Sequence, residues 1–144
     1  MSNIFRQVNG GIAEFVSQPA VGATLVLAAR LLAAAIFIIA GYGKLGAGYA
    51  ATQGYMASAG VPGALLPLVI ALELGGGLSL LLGFQTRLVS FMLALFCVAA
   101  ALIFHEGASQ QIMFMKNFAM AGGLLAFTVF GGGRASLDGE SRTS

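Results

Sequence analysis

Polar residues in this chain are confined to short segments, and the apolar runs between them are long enough to cross a bilayer. A hydrocarbon core about 30 Å thick needs roughly 20 helical residues. Runs over residues 20–43, 65–83, 86–104 and 112–131 meet that requirement. Ahead of the first run, "SNIFRQVNGGIAEFVSQP" sets Ile4, Phe5, Val8, Ile12, Phe15 and Val16 at helical spacing, with Arg6, Gln7, Asn9 and Glu14 between them. The pattern predicts a short amphipathic helix lying in the membrane interface over residues 1–19. Gly10-Gly11 weakens that helix and Pro19 ends it. The link "AGYAATQGYMASAGVPG" is expected to hold another interfacial helical turn before Pro62 opens the second span. Spans two and three are joined by a tight "FQ" hairpin, and spans three and four by the polar "HEGASQQ". The pattern therefore predicts an all-α integral membrane protein: a four-helix transmembrane bundle over 20–132, followed by a polar, disordered tail over 133–144.

Composition narrows the function classes. The chain is 58% hydrophobic and 8% charged, against roughly 25% charge in a soluble domain. It lacks the polar surface to coat a water-facing globule. A net charge of +2, dispersed without any Lys/Arg-rich run, leaves no footprint for nucleic acid. Cys97 is the single cysteine, so no intrachain disulfide or CxxC relay can form, and it reads as a buried inert thiol. The first apolar run is too long, and starts too late, for the core of a signal peptide. The glycine content, 21 residues, suits membrane helices that pack backbone to backbone. An even number of spans puts both termini on one side, together with Arg6, Arg87, Arg134 and Arg142, against Lys44 and Lys116 at the other. The positive-inside rule assigns the termini to the cytoplasm.

The candidate chemistry lies in the charges that interrupt the apolar runs. Arg30 falls near the middle of span one and Glu73 near the middle of span two. Each costs about 3 kcal/mol to insert, so a charge there faces a partner or a wet cavity rather than lipid. Antiparallel spans would bring both to the same depth, which makes Arg30–Glu73 the expected intramembrane ion pair, acting as a structural staple or as part of a site. Helical spacing from Arg30 gives a face of Ala33, Ala34, Phe37, Gly41 and Lys44. On span two, Gly76 and Gly77 lie next to Glu73, and Ala71, Gly75, Ser79 and Gly83 form a small-every-fourth pattern suited to close packing. Lys44, His105, Glu106, Lys116 and Asn117 converge on the outer mouth of the bundle. The expected ligand-contacting set is Lys44, His105, Lys116, Asn117, Phe37, Gly41, Gly76 and Gly77. Lys44 and Lys116 have a plainer reading, in which they snorkel to headgroups. His105–Glu106 reads equally as loop polarity, Arg87 as an interfacial anchor, and Met113, Met115 and Met120 as packing filler. No metal-ligand cluster and no nucleophile–base pair stands out. The "GGG" runs at 75–77 and 131–133 lack the strand–turn–helix setting of a phosphate loop.

Four stretches, "RLLAAAIFIIAGYGKL", "GVPG", "ELGGGLSLLLGFQTR" and "MKNFAMAGGLL", resemble the DoxX family of small bacterial membrane proteins. The likeness runs from about Arg30 to Gly132. Its most specific features are the spacing of Arg30, Phe37, Gly41 and Lys44, and Glu73 followed by glycines, Gly83 and Arg87. The resemblance implies a multi-pass protein of the bacterial inner membrane with a redox-linked role. It would be a subunit or accessory of a larger complex, with a quinone as the candidate ligand, rather than an independent enzyme. Two other functions fit the residues. Glu73, Arg30 and His105 could relay protons or admit a small solute, although four helices enclose little space and a pore would need a homo-oligomer. A non-catalytic scaffold would use the ion pair to fix register and the glycine faces to hold partner helices.

Overall fold

The computed structural model describes residues 2–139. Its helices are α1 (Ser2–Ser17), α2 (Pro19–Gly43), α3 (Ala47–Ser58), α4 (Leu66–Ile70), α5 (Gly76–Leu82), α6 (Thr86–Phe104) and α7 (Gln111–Phe130). A 3-10 turn over Gly63–Leu65, α4, a π-helical turn over Ala71–Gly75 and α5 run on as one rod. The four helices long and apolar enough to cross a membrane are Pro19–Gly43, this rod at Gly63–Leu82, Thr86–Phe104 and Ala108–Phe130. They coincide with the four expected spans to within a few residues. Most of their surface is exposed and apolar, as it must be where lipid replaces the rest of a protein core.

Two antiparallel pairs make up the bundle. The α2 helix packs along the rod of span two, and α6 packs along its whole length against α7. Glycines set the first contact. A Cβ on Gly41 would lie 2.9 Å from the Leu74 nitrogen, and one on Gly77 would lie 2.9 Å from Ile38 Cγ1 and 3.1 Å from the Ile38 nitrogen. Backbones can approach this closely only where no side chain intervenes. A Cβ on Gly76 would meet Leu93 of α6 at 3.1 Å. The expected small-residue stripe is thereby corrected. Gly75 packs against nothing, because the π-turn inserts a residue and rotates the rest of the rod out of the phase that a 3.6-residue count assigns. The inner face expected for α2 does face inward: Arg30, Ala34, Phe37 and Gly41 are buried. Leu80, Leu93, Ala94, Cys97, Ala121 and Leu124 complete the core.

The α1 helix leaves Ile4, Phe5, Val8, Ile12 and Phe15 exposed along one face, the form expected of a helix resting on a membrane surface. The tail differs from its expectation. Residues 134–139 fold back onto the hairpin between spans two and three, while 140–144 lie outside the described residues. Leu137 N–H donates to Leu82 O at 3.1 Å and Asp138 N–H to Gly83 O at 2.9 Å. The Asp138 carboxylate accepts the Gln85 N–H at 2.7 Å and the Thr86 N–H at 2.8 Å. A side chain from far along the sequence thus caps the start of α6, where four N–H groups lack helical partners. Composition alone reads these residues as disordered because their stabilising partners are hairpin backbone groups, which carry no sequence pattern.

Burial pushes the Asp138 carboxyl up, but Thr86, the Gln85 N–H and nearby Arg30 outweigh it and hold the carboxyl below its usual range. A lowered folded-state value means the capping contribution is complete above the ordinary aspartate pKa of about 3.9 and is lost as pH falls through the lower folded value. Asp138→Asn should weaken the cap by about 1 kcal/mol. Peptide-resolved hydrogen exchange should show faster exchange at Gln85, Thr86 and Leu137, in the variant at neutral pH and in the wild type only in acid.

Candidate functional site

A cavity of about 370 Å³ opens at the end of the bundle where the lysines lie. Ile36, Phe37 and Ala40 of α2 with Lys44 just beyond it form one wall, and Phe96, Cys97, Ala100 and Phe104 of α6 with His105 just beyond it another. Lys116, Asn117 and Met120 of α7 form a third, with Val69 and Glu73 of span two behind them. Across the opening lies α3, contributing Thr52, Tyr55 and Met56. Tyr55 stacks on Phe104 with ring centroids 5.3 Å apart, which fastens α3 to the end of α6. The lining is apolar apart from a few convergent polar groups, and the volume falls within the range of roughly 300–1,000 Å³ typical of small-molecule sites.

Of the eight residues expected to contact a ligand, the structure brings five to this cavity: Lys44, His105, Lys116, Asn117 and Phe37. Gly41, Gly76 and Gly77 do not line it. They act one step back, letting α2, α6 and span two approach closely enough to form its walls. Cys97 is buried, as expected, and also borders the cavity.

The ion pair in the membrane is Lys44–Glu73. Lys44 Nζ donates to Glu73 Oε1 at 2.9 Å and lies 2.7 Å from Oε2, and it also donates to Ala40 O at 3.2 Å. The expected Arg30–Glu73 pair does not form. The glycine contacts set a register in which Gly41 lies beside Leu74 and Ile38 beside Gly77. Glu73 therefore faces the last turn of α2, and Arg30 lies about 18 Å further along the axis at 1.5 Å per residue. Matching the midpoints of two apolar runs cannot supply that register. It also excludes Lys44, which follows the final helical residue of α2 and folds its side chain back over Ala40.

Glu73 lies in the middle of the π-turn and is only 5% exposed. Turns of this kind are rare within helices and recur at functional sites. The Oε2 atom is within ion-pairing distance of Lys44 but out of line for a hydrogen bond, and buried His105 Nδ1 has no partner. Lys116 Nζ donates to the thioether of Met113 at 3.2 Å, a weak acceptor, and Asn117 Nδ2 donates to Met113 O at 2.9 Å. The lysine end of the bundle thus gathers two ammonium groups, an amide and an imidazole around one carboxylate.

Arg30 and Arg87 serve the opposite end. Arg30 is fully buried and donates to Leu81 O at 3.3 Å and to Ala135 O in the folded-back tail. It is an arginine clasp, joining a carbonyl that the end of α5 leaves unsatisfied to a carbonyl of the tail. Gly83, with φ +69°, admits it, since any side chain there would collide with the guanidinium and with Ser136. Arg87 donates to Thr128 O at 3.2 Å and to Val129 O, holding the last turn of α7. That position agrees with a residue near a span end, and its interaction is with helix carbonyls, whose partial negative charge favours a cation.

Comparison with known proteins places these features in a family. The DoxX family model matches residues 25–106, a stretch that includes Arg30, Lys44, Glu73 and His105. The chain is 47% identical over 116 residues to the inner membrane protein YqjF of Escherichia coli (strain K12), covering 78% of this chain and 88% of that one. It is 34% identical over 124 residues to the inner membrane protein YphA of the same organism, covering 79% and 88%. No solved structure matches.

Proposed function

The chain belongs to the DoxX family, and from that premise we propose that it is a multi-pass inner-membrane protein whose cavity binds a small, largely apolar molecule with acceptor oxygens at one end, a quinone-like ligand. The observation that carries this reading is the cavity itself, about 370 Å³, with Phe37, Phe96 and Met120 along its walls and Lys44, His105, Lys116 and Asn117 near its opening. Aromatic and thioether walls favour a flat apolar ring, and the donors favour carbonyl oxygens. The protein acts as a redox-linked accessory that holds such a molecule within the bilayer, with both termini in the cytoplasm and the cavity opening towards the other face. The residues supply positioning and hydrogen bonds.

Purified protein in bilayer discs should bind a soluble short-chain quinone in a saturable way, and extraction from native membranes should recover a quinone with it. Ala40→Phe is expected to fill the cavity and weaken binding by at least about tenfold, equivalent to 1.4 kcal/mol, while leaving the fold intact. Absence of both saturable binding and co-purified quinone would remove this reading.

A further inference from the structure

We infer that the ligand of this cavity carries an anionic oxygen, and that Lys116 is the residue that selects for it; the inference rests on the cavity being a binding site. Charges on the cavity wall do not balance. Lys44 and Lys116 are both present, against the single carboxylate of Glu73. Lys44 is committed to that carboxylate through both oxygens, so the pair is neutral as a unit. Lys116 is left with a thioether sulfur as its acceptor. Neighbouring groups do not compensate it: Cys97 is a thiol, His105 leaves its buried Nδ1 without a partner, and Glu106 is exposed and not part of the wall.

A ligand that brings a negative oxygen to Lys116 gains a charge-assisted hydrogen bond, roughly twice as strong as a neutral one. His105, whose buried Nδ1 has no partner, and Asn117 line the same cavity. The ligand class is therefore an apolar ring or chain ending in an ionised hydroxyl or carboxylate. A phospholipid phosphate entering from the bilayer has the same chemistry.

The test uses the full chain in discs of phosphatidylcholine, with empty discs subtracted, and two probes of nearly equal size. One is a hydroxynaphthoquinone whose ring hydroxyl is ionised at neutral pH, and the other is its methyl ether, which is neutral. The wild type should bind the ionised probe about tenfold more tightly than the ether. Lys116→Gln, at an exposed position where folding is safe, should abolish that difference. Equal affinities in the wild type, or a preference that survives Lys116→Gln, would overturn the inference while leaving the cavity as a site for neutral ligands. Binding of neither probe would overturn both. Adding phosphatidylglycerol separates the sources of the anion. Competition that depends on Lys116 identifies a lipid headgroup of net negative charge as a source of the anion, and upholds the anionic head.

Discussion

Replacing Lys44 with methionine is expected to destabilise the bundle by about 3–5 kcal/mol, the usual cost of leaving one partner of a buried ion pair uncompensated. Glu73 is nearly inaccessible and sits among apolar side chains, so without Lys44 it must take up a proton, draw in water or open the helix pair. The same reasoning predicts rescue. Changing Glu73 to glutamine in the Lys44→Met background removes the orphaned charge and should restore most of the loss, because exchanging a buried pair for neutral groups is often close to neutral. Denaturation by sodium dodecyl sulfate titration, or steric trapping in bilayer discs, measures all three chains. A single-variant cost below about 1 kcal/mol would place the pair in the solvent-exposed class. The rescued double variant also separates two roles of the pair: if it folds but no longer holds a quinone, Lys44–Glu73 contributes to binding as well as to packing.

The second large effect concerns Arg30. Arg30→Met removes the donors that satisfy Leu81 O and Ala135 O and should cost about 3 kcal/mol, since hydrogen bonds to charged groups contribute about 1.5–3 kcal/mol each and buried carbonyls left unpaired add to the loss. Ending the chain after Gly132 removes the other half of the clasp, including the Asp138 cap. The two changes act on one interaction, so their combination should cost clearly less than the sum of the single effects, with a coupling energy of about 1 kcal/mol or more. Strict additivity would show that the tail and Arg30 stabilise the bundle independently. Neither change touches the cavity wall, and binding by the molecules that remain folded should be preserved.

Sequence legibility was uneven for physical reasons. The spans were readable because hydrophobic length is a one-dimensional property, and the inward face of α2 because helical periodicity is local. The convergence of Lys44, His105, Lys116 and Asn117 was also readable, since each lies at the same end of an antiparallel span. The identity of the ion pair was not. It depends on the sliding register of α2 against span two, set by Gly41 and Gly77 meeting backbone atoms, and hydropathy is blind to a shift of several residues. The π-turn at Glu73 compounded this by moving the phase of every residue after it, which made Gly75 look like packing surface and hid the role of Gly76 and Gly77. The tail illustrates a third limit. Its polar sequence has no periodicity, and its order comes from Arg30, Gln85 and Thr86, all distant in the chain.

The most direct measurement is photolabelling with an azido-quinone in bilayer discs, followed by peptide mapping, with and without an excess of unlabelled quinone. Label that competes away should fall on the cavity walls, at residues 36–44, 96–105 and 116–120, and should decline in Ala40→Phe. Labelling spread over lipid-facing positions such as Leu32, Leu68 and Leu95, unaffected by competitor, would contradict the account.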